Sequence, residues 1–541
     1  MSAFRRLSAF LLVVGWLCGS ALAQDSGSSA PTFGDDSSSS SGQGQSLGEL
    51  ARKVRKDNTA EVNMSDEDAK KLFRSVDKIL AFAAEDSGFP QRSTVKRRLV
   101  GHTEVEQYTR EQVAKNENAQ RLARSEMTMK KFGFLPRDFN LKDFLVKANG
   151  QQIAGYYDSE TKTISLLNWV PMERQEPILA HELTHALQDQ NYDLKKWLKV
   201  GQGTPQSAAP KNGSLDEQDD DEMARRAVVE GQAMIVYVDY LLAPLGRSLQ
   251  NTPGLIYQME EPAVKAAADS QLLHDAPMIL REAGTFPYRE GFIFEGELLE
   301  KGGKKMAFPG VFSRPPRDTH EVLQPQAYID GEKLSSIRIP DVEQLLDGKY
   351  AAYDSGGVGE LDVRALLKTY GDRKDADTLS AAWQGGVYVT FRKTVKAAAD
   401  APTTADLALL YVSKWKSSPM AQRFAHLYAG AVAQRYQNAT TQPAQSCAGT
   451  NCPSSVVQIA TEEGPVIIEQ WADNTVLVSE SFDQVTATKL RDAVRSGSGD
   501  VRAENLPEDE LSLRLYEMPA FSAFQERIGK RILREIEDTP R

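Results

Sequence analysis

An α+β fold is what this 541-residue chain predicts, on three observations. Leu72, Val76, Ile79 and Leu80 recur at helical spacing, as do the apolar residues around His181 and Glu230, so amphipathic helices are expected through the first half. Between Gly150 and Leu167 the period drops to two: Gln152 to Tyr157 and Thr163 to Leu167 flank the polar turn Asp158-Ser159-Glu160-Thr161, which reads as a hairpin. From Ala381 onward short strand-like runs alternate with helical ones, an α+β C-terminal region without a motif of its own.

Taken in order, residues 1–23 read as a secretory signal, with Arg5 and Arg6 as its charged end, Ala9 to Leu17 as a short apolar core and Ala21-Leu22-Ala23 as the cleavage site. The expected product is exported, periplasmic or secreted, and carries no membrane span, because no later stretch approaches about twenty apolar residues. Residues 24–48 are rich in Ser and Gly and are expected to form a disordered linker. Residues 49–130 are expected as a helical N-terminal region of two or three helices, 131–375 as the domain carrying the hairpin and the candidate site, and 376–541 as the α+β C-terminal region. Loss of the two signal arginines makes the formal net charge of −11 more negative still, which argues against nucleic acid as a partner. After the signal only Cys447 and Cys452 remain, and such a pair in an exported chain predicts a local disulfide.

The chemistry is concentrated in His181-Glu182-Leu183-Thr184-His185, on a helix expected to hold Pro177 in its first turn and to run towards Gln190. Four apart on a helix, His181 and His185 share a face and bring two imidazole nitrogens to one metal ion, while Leu179, Leu183, Ala186 and Leu187 turn to the core. Glu182, on the flank of that face, is placed to take a proton from a water held on the metal.

A catalytic zinc takes three protein ligands and keeps a position for water, so a third ligand is required. A glycine and a histidine at fixed places after His185 are excluded by Gln188 and Asn191, and a glutamate about twenty residues on is excluded because Gly201 to Pro210 holds no acid. Glu230 is the candidate: Ala227 and Ala233, a turn to either side, let its helix approach closely, and Arg226 is expected to orient it. Glu222 is the reserve, in an acidic run expected as solvated loop and helix start at the end of a polar surface loop from Gly201 to Glu222. Helices are expected at Met259 to Arg281 and Gly291 to Leu299. His320, after Pro315-Pro316, reads as a solvated loop histidine, with a place in the cleft as the alternative.

The stretches His181 to Gln190, Val229-Glu230-Gly231-Gln232-Ala233, Phe286 to Gly291 and Arg314 to Thr319 together resemble the gluzincin-type zinc metallopeptidases. More narrowly they resemble a group of exported bacterial metallopeptidases of uncertain substrate. The resemblance implies a zincin-like domain, a small sheet with an edge strand beside the active-site helices. It implies one Zn2+ per chain on His181, His185 and Glu230, with Glu182 as base in hydrolysis of a protein or peptide substrate. Members carry a histidine shortly after the Pro-Pro-x-x-Thr stretch, where this chain has Gln324. Tyr288 is the expected hydrogen-bond donor to the oxyanion, held between Pro287 and Gly291. Two other readings stay open: a non-catalytic envelope or interaction protein on the same scaffold, and an amidase acting on cell-wall peptides. Retention of Glu182 argues against the first, and no residue separates protein from cell-wall peptide.

Overall fold

The computed structural model describes residues 64–497, the larger gaps lying within 102–118 and at 150–154, 199–217, 260–270, 395–401 and 444–451. The expected signal, the linker and Cys447 lie outside the described residues; Cys452 is disulfide-bonded. The first half runs α1 (Asp66–Ser87), β1 (Lys96–Val100), α2 (Ala119–Phe132), α3 (Leu141–Asn149), β2 (Tyr156–Asp158), β3 (Thr163–Leu167), α4 (Met172–Tyr192), α5 (Gln218–Leu242) and α6 (Met278–Lys305). The second runs α7 (Thr319–Leu323), β4 (Tyr350–Gly357), α8 (Glu360–Tyr370), β5 (Trp383–Lys393), β6 (Leu407–Trp415), α9 (Ser418–Arg435), β7 (Thr440–Gln442), β8 (Ser455–Thr461), β9 (Gly464–Gln470), β10 (Thr475–Glu480) and α10 (Gln484–Ser496), with short helical turns between. The protein is thus mixed α+β, helices leading and strands following.

The helix α1 starts at Ser65, whose hydroxyl accepts from the Asp68 amide, and stops at Gly88 with φ 72°. Its face of Leu72, Val76, Ile79, Leu80 and Ala83 is buried against α4. Helices alone were expected over 49–130, yet β1 lies there, parallel to β3 in a three-stranded sheet of order β1-β3-β2. Its charged sequence is held as a strand by distant partners: Arg97 bonds Asp77 and the Phe73 carbonyl, and Arg98 bonds Ser165 Oγ and Tyr156 OH. The loop behind it is fastened to the end of α4, where Gln190 Oε1 accepts from the Arg92 and Ser93 amides.

Pro177 sits at the sixth residue of α4 rather than in its first turn. The helix begins earlier than expected because the buried Gln175 amide bonds both backbone groups of Leu167 and the Val170 carbonyl, anchoring the first turn to the end of β3. The acidic run expected as solvated is helical from Gln218, where Asp220 accepts from Thr319 N and Oγ1 and Asp221 from Arg225. Contrary to the expectation that no such stretch exists, the Asp220–Leu245 segment is long and apolar enough to cross a membrane by length and composition. Of its 18-residue apolar stretch 67% is buried in the protein, and the helix packs against α4 and α6, the position of a core helix. The expected helix from Met259 to Arg281 is interrupted: a short helix Gln271–Asp275 ends before Pro277, which caps α6. Phe286-Pro287-Tyr288 lies within α6, which runs on through Leu299 and departs from helical geometry at Gly303 (φ 63°).

The remaining strands form a seven-stranded sheet of order β4-β5-β6-β10-β9-β8-β7, antiparallel throughout. Because β4 pairs with β5, the expected boundary between 375 and 376 cuts a single sheet. One face of the sheet shares a core with Phe132, Leu135 and Leu141 of the N-terminal region and with Phe424 and Tyr428 of α9. Lys131, fully buried, bonds Glu463 at 2.9 Å and Ser481 at 2.7 Å and so ties α2 to the sheet.

Candidate metal centre

The site is assembled by three helices. The apolar back of α4, Leu179, Leu183, Ala186 and Leu187, is 0–1% exposed, which leaves His181 and His185 facing α5. Glu230 comes from α5, and α6 lies against it where Gly231 meets Gly291. His181 Nε2 stands 3.0 Å from His185 Nε2, and Glu230 Oε2 stands 3.1 Å from the first and 3.3 Å from the second. Ligands about 2.0–2.1 Å from one zinc at tetrahedral angles lie about 3.3–3.4 Å apart, so this triangle has close to the size such an ion requires.

The protonation of the three groups leads to the same fit. His185 Nδ1 lies 2.9 Å from Gln188 Oε1, an acceptor. With Nδ1 donating, a neutral imidazole turns the lone pair of Nε2 towards Glu230. Two lone pairs and a carboxylate oxygen facing one another repel unless a positive charge sits among them. Considered with protons alone, burial pushes His181 down to about 4. Burial opposes charge on His185 too, but the Glu230 carboxylate outweighs it and lifts that imidazole to about 9. Glu230 is held well below the usual carboxylate range by the histidines, against its burial. Among the described residues His181, His185 and Glu230 form the one cluster able to hold a metal ion, with a donor set of two nitrogens and a carboxylate that first-row divalent metals share.

Glu182 lies beside this cluster with its Oε2 accepting the Tyr157 amide of β2 at 2.9 Å. Burial, helped by the charge of Glu230, pushes its carboxyl up to about 7. The β2–β3 hairpin is fixed to α4 through Asp189, whose Oδ2 accepts from Tyr157 OH at 2.8 Å and Lys162 Nζ at 2.6 Å. Tyr288 is buried in α6 with its ring centroid 6.4 Å from that of His181. The structure thus brings together His181, Glu182, His185, Glu230 and Tyr288.

Three expectations are corrected. Arg226, expected beside Glu230, pairs with Glu222, one turn earlier on α5, through Nε at 3.1 Å and NH2 at 2.5 Å. The same pairing places Glu222, the reserve ligand, outside the cluster. His320 is fully buried, not solvated: its Nδ1 lies 2.5 Å from Glu360 Oε2, and that ion pair raises its pKa against the effect of burial. Gln324 donates to the other oxygen of Glu360 at 3.0 Å. Sequence reasoning missed the Tyr157 amide and the contacts of Gln188, although Gln188 stands one helical turn after His185, where such a contact is made.

Comparison of the chain with protein-family models, with curated proteins and with solved structures finds no match.

Proposed function

We propose that the protein is an exported zinc-dependent peptidase of zincin-like architecture, in which His181, His185 and Glu230 hold one Zn2+ and Glu182 is the general base. The observation that carries this reading is the convergence of two imidazole nitrogens and a carboxylate oxygen beside a buried glutamate that belongs to none of the three ligand positions. When bound, the ion supplies Lewis acidity towards a carbonyl oxygen and makes water a better acid.

Glu182 accepts the proton of the attacking water and returns it to the amine that leaves. Tyr288 donates a hydrogen bond to the oxygen on which charge develops. The edge strand β2, with Tyr157 adjoining Glu182, supports an extended peptide as substrate, since a strand edge presents backbone N–H and C=O groups to another main chain. The N-terminal signal pattern supports action outside the cytoplasm.

The test is incubation of the zinc-loaded mature protein with a mixed peptide library, beside Glu182→Gln. Cleavage by the parent, with metal retained and cleavage lost in the variant, is the expected result. A parent that holds zinc yet cleaves no peptide, or a variant as active as the parent, overturns the reading.

A further inference from the structure

Two buried glutamines stand between His185 and the backbone of a neighbouring helix, and their amides can be oriented without ambiguity. Gln232 Nε2 lies 2.7 Å from the Ala307 carbonyl and 3.2 Å from that of Phe308, both in the π-helical turn Met306–Gly310. Backbone carbonyls only accept, so this atom is the nitrogen. The Oε1 of Gln232 is left to accept from Gln188 Nε2 at 2.9 Å, which also donates to the Val229 carbonyl at 3.0 Å. Gln188 Oε1 therefore faces His185 Nδ1 as an acceptor, and Nδ1 carries the hydrogen. Both side chains are fully buried, so water cannot substitute for any of these partners from the surface.

We propose that Gln188 and Gln232 are positioning residues: a two-amide relay that holds His185 in the tautomer with its Nε2 lone pair aimed at the metal, anchored on the carbonyls of the π turn. The proposal rests on the zinc reading above and adds to it the means by which one ligand is prepared. An imidazole without this acceptor divides itself between two tautomers and two ring orientations, and binding must first select one of them. The effect of Gln232 passes through Gln188: loss of its Oε1 removes one of the two acceptors that fix the Gln188 amide and leaves the Val229 carbonyl alone to oppose a flip that would present NH2 to Nδ1. π turns occur often at functional sites, and here the turn presents two adjacent carbonyls to one amide.

Zinc affinity, measured by competition with a chromogenic chelator, and the visible spectrum of the Co2+-loaded protein both read the centre without reference to catalysis. Gln188→Met and Gln232→Met are each expected to weaken zinc binding by about 10- to 100-fold and to alter the cobalt bands. The double variant is expected to lose little more than the weaker-binding single variant, since the two act as one unit. Gln188→Glu, which keeps an oxygen facing Nδ1 but has at most one hydrogen for the two acceptors Val229 O and Gln232 Oε1, is expected to recover part of the loss. Thermal unfolding of the metal-free proteins monitors folding, and if Gln188→Met does not fold, Gln232→Met alone decides.

Unchanged zinc affinity and an unchanged cobalt spectrum in the single variants overturn the relay, whatever their metal-free stability. A parent that binds neither zinc nor cobalt removes the metal centre itself, a result distinct from failure of the relay.

Discussion

A Cβ atom on Gly231 would stand 2.2 Å from the carbonyl oxygen of Gly291, and one on Gly291 would stand 2.2 Å from that of Ala227. The crossing of α5 and α6 therefore exists because neither residue has a side chain, and it sets how near Glu230 and Tyr288 come to α4. Gly231→Ala must push the helices apart, because the atoms it meets are backbone and cannot rotate away. Glu230, the adjacent residue, moves with its helix. We expect a loss of zinc affinity of at least about tenfold together with a lower Tm. A variant with parental affinity would mean that Glu230 reaches the centre independently of this crossing.

Tyr288→Phe removes one hydroxyl and leaves the ring beside His181 in place. If the phenol donates to the developing oxyanion, kcat falls by roughly 10²-fold while zinc content and Tm stay near parental. Parental turnover, or a loss that only follows the fraction of folded protein, assigns the tyrosine to packing.

The parts of the site governed by local periodicity were legible in the sequence. Spacing alone placed His181 and His185 on one face of α4, and the small residues about Glu230 indicated a close helix approach, which Gly231 and the backbone of Ala227 make against Gly291 of α6. What the sequence hid depends on partners far along the chain. The strand β1 shows no alternation because Asp77, Tyr156 and Ser165 satisfy its arginines. His320 looks like a loop residue until Glu360, forty residues on, is brought against it. The division into domains at 375 failed to anticipate β4 for the same reason, since its pairing with β5 is a tertiary fact.

Glu282 and Glu290 of α6 are buried among Arg289, Arg364 and Lys368. Burial alone would raise both carboxyls, but the guanidinium groups outweigh it and hold each down to about 2. A carboxylate with a depressed folded pKa contributes stability above its unfolded pKa, here 4.5, and loses it as the pH falls towards the folded value. Unfolding free energy measured by denaturant should therefore decline between about pH 4.5 and pH 2, by an amount on the order of several kcal/mol from this cluster. Glu282→Gln should be less stable than the parent at pH 7, with a shallower decline over that acid window. Parallel pH profiles for the two proteins would locate the acid sensitivity elsewhere.

Glu295 presents the opposite case on the same helix. Its side chain is 0% exposed and neither carboxylate oxygen has a hydrogen-bond partner among the described residues, while burial raises its pKa well above 4.5. Burial thus favours its protonated form over the carboxylate, and an unsatisfied buried polar group of this kind costs about 1–3 kcal/mol. Glu295→Met, of similar length and without polar oxygens, should raise Tm. The sign with pH follows from linkage: a raised folded pKa favours the folded state below the unfolded value, 4.5, and that advantage is lost as the pH rises towards the folded pKa. The gap between Glu295→Met and the parent should therefore widen as the pH rises above 4.5. Thermal unfolding of both proteins across this range provides the check. A variant less stable than the parent, or a gap that ignores pH, would show that the carboxyl is hydrogen-bonded in solution, by a buried water that satisfies both oxygens.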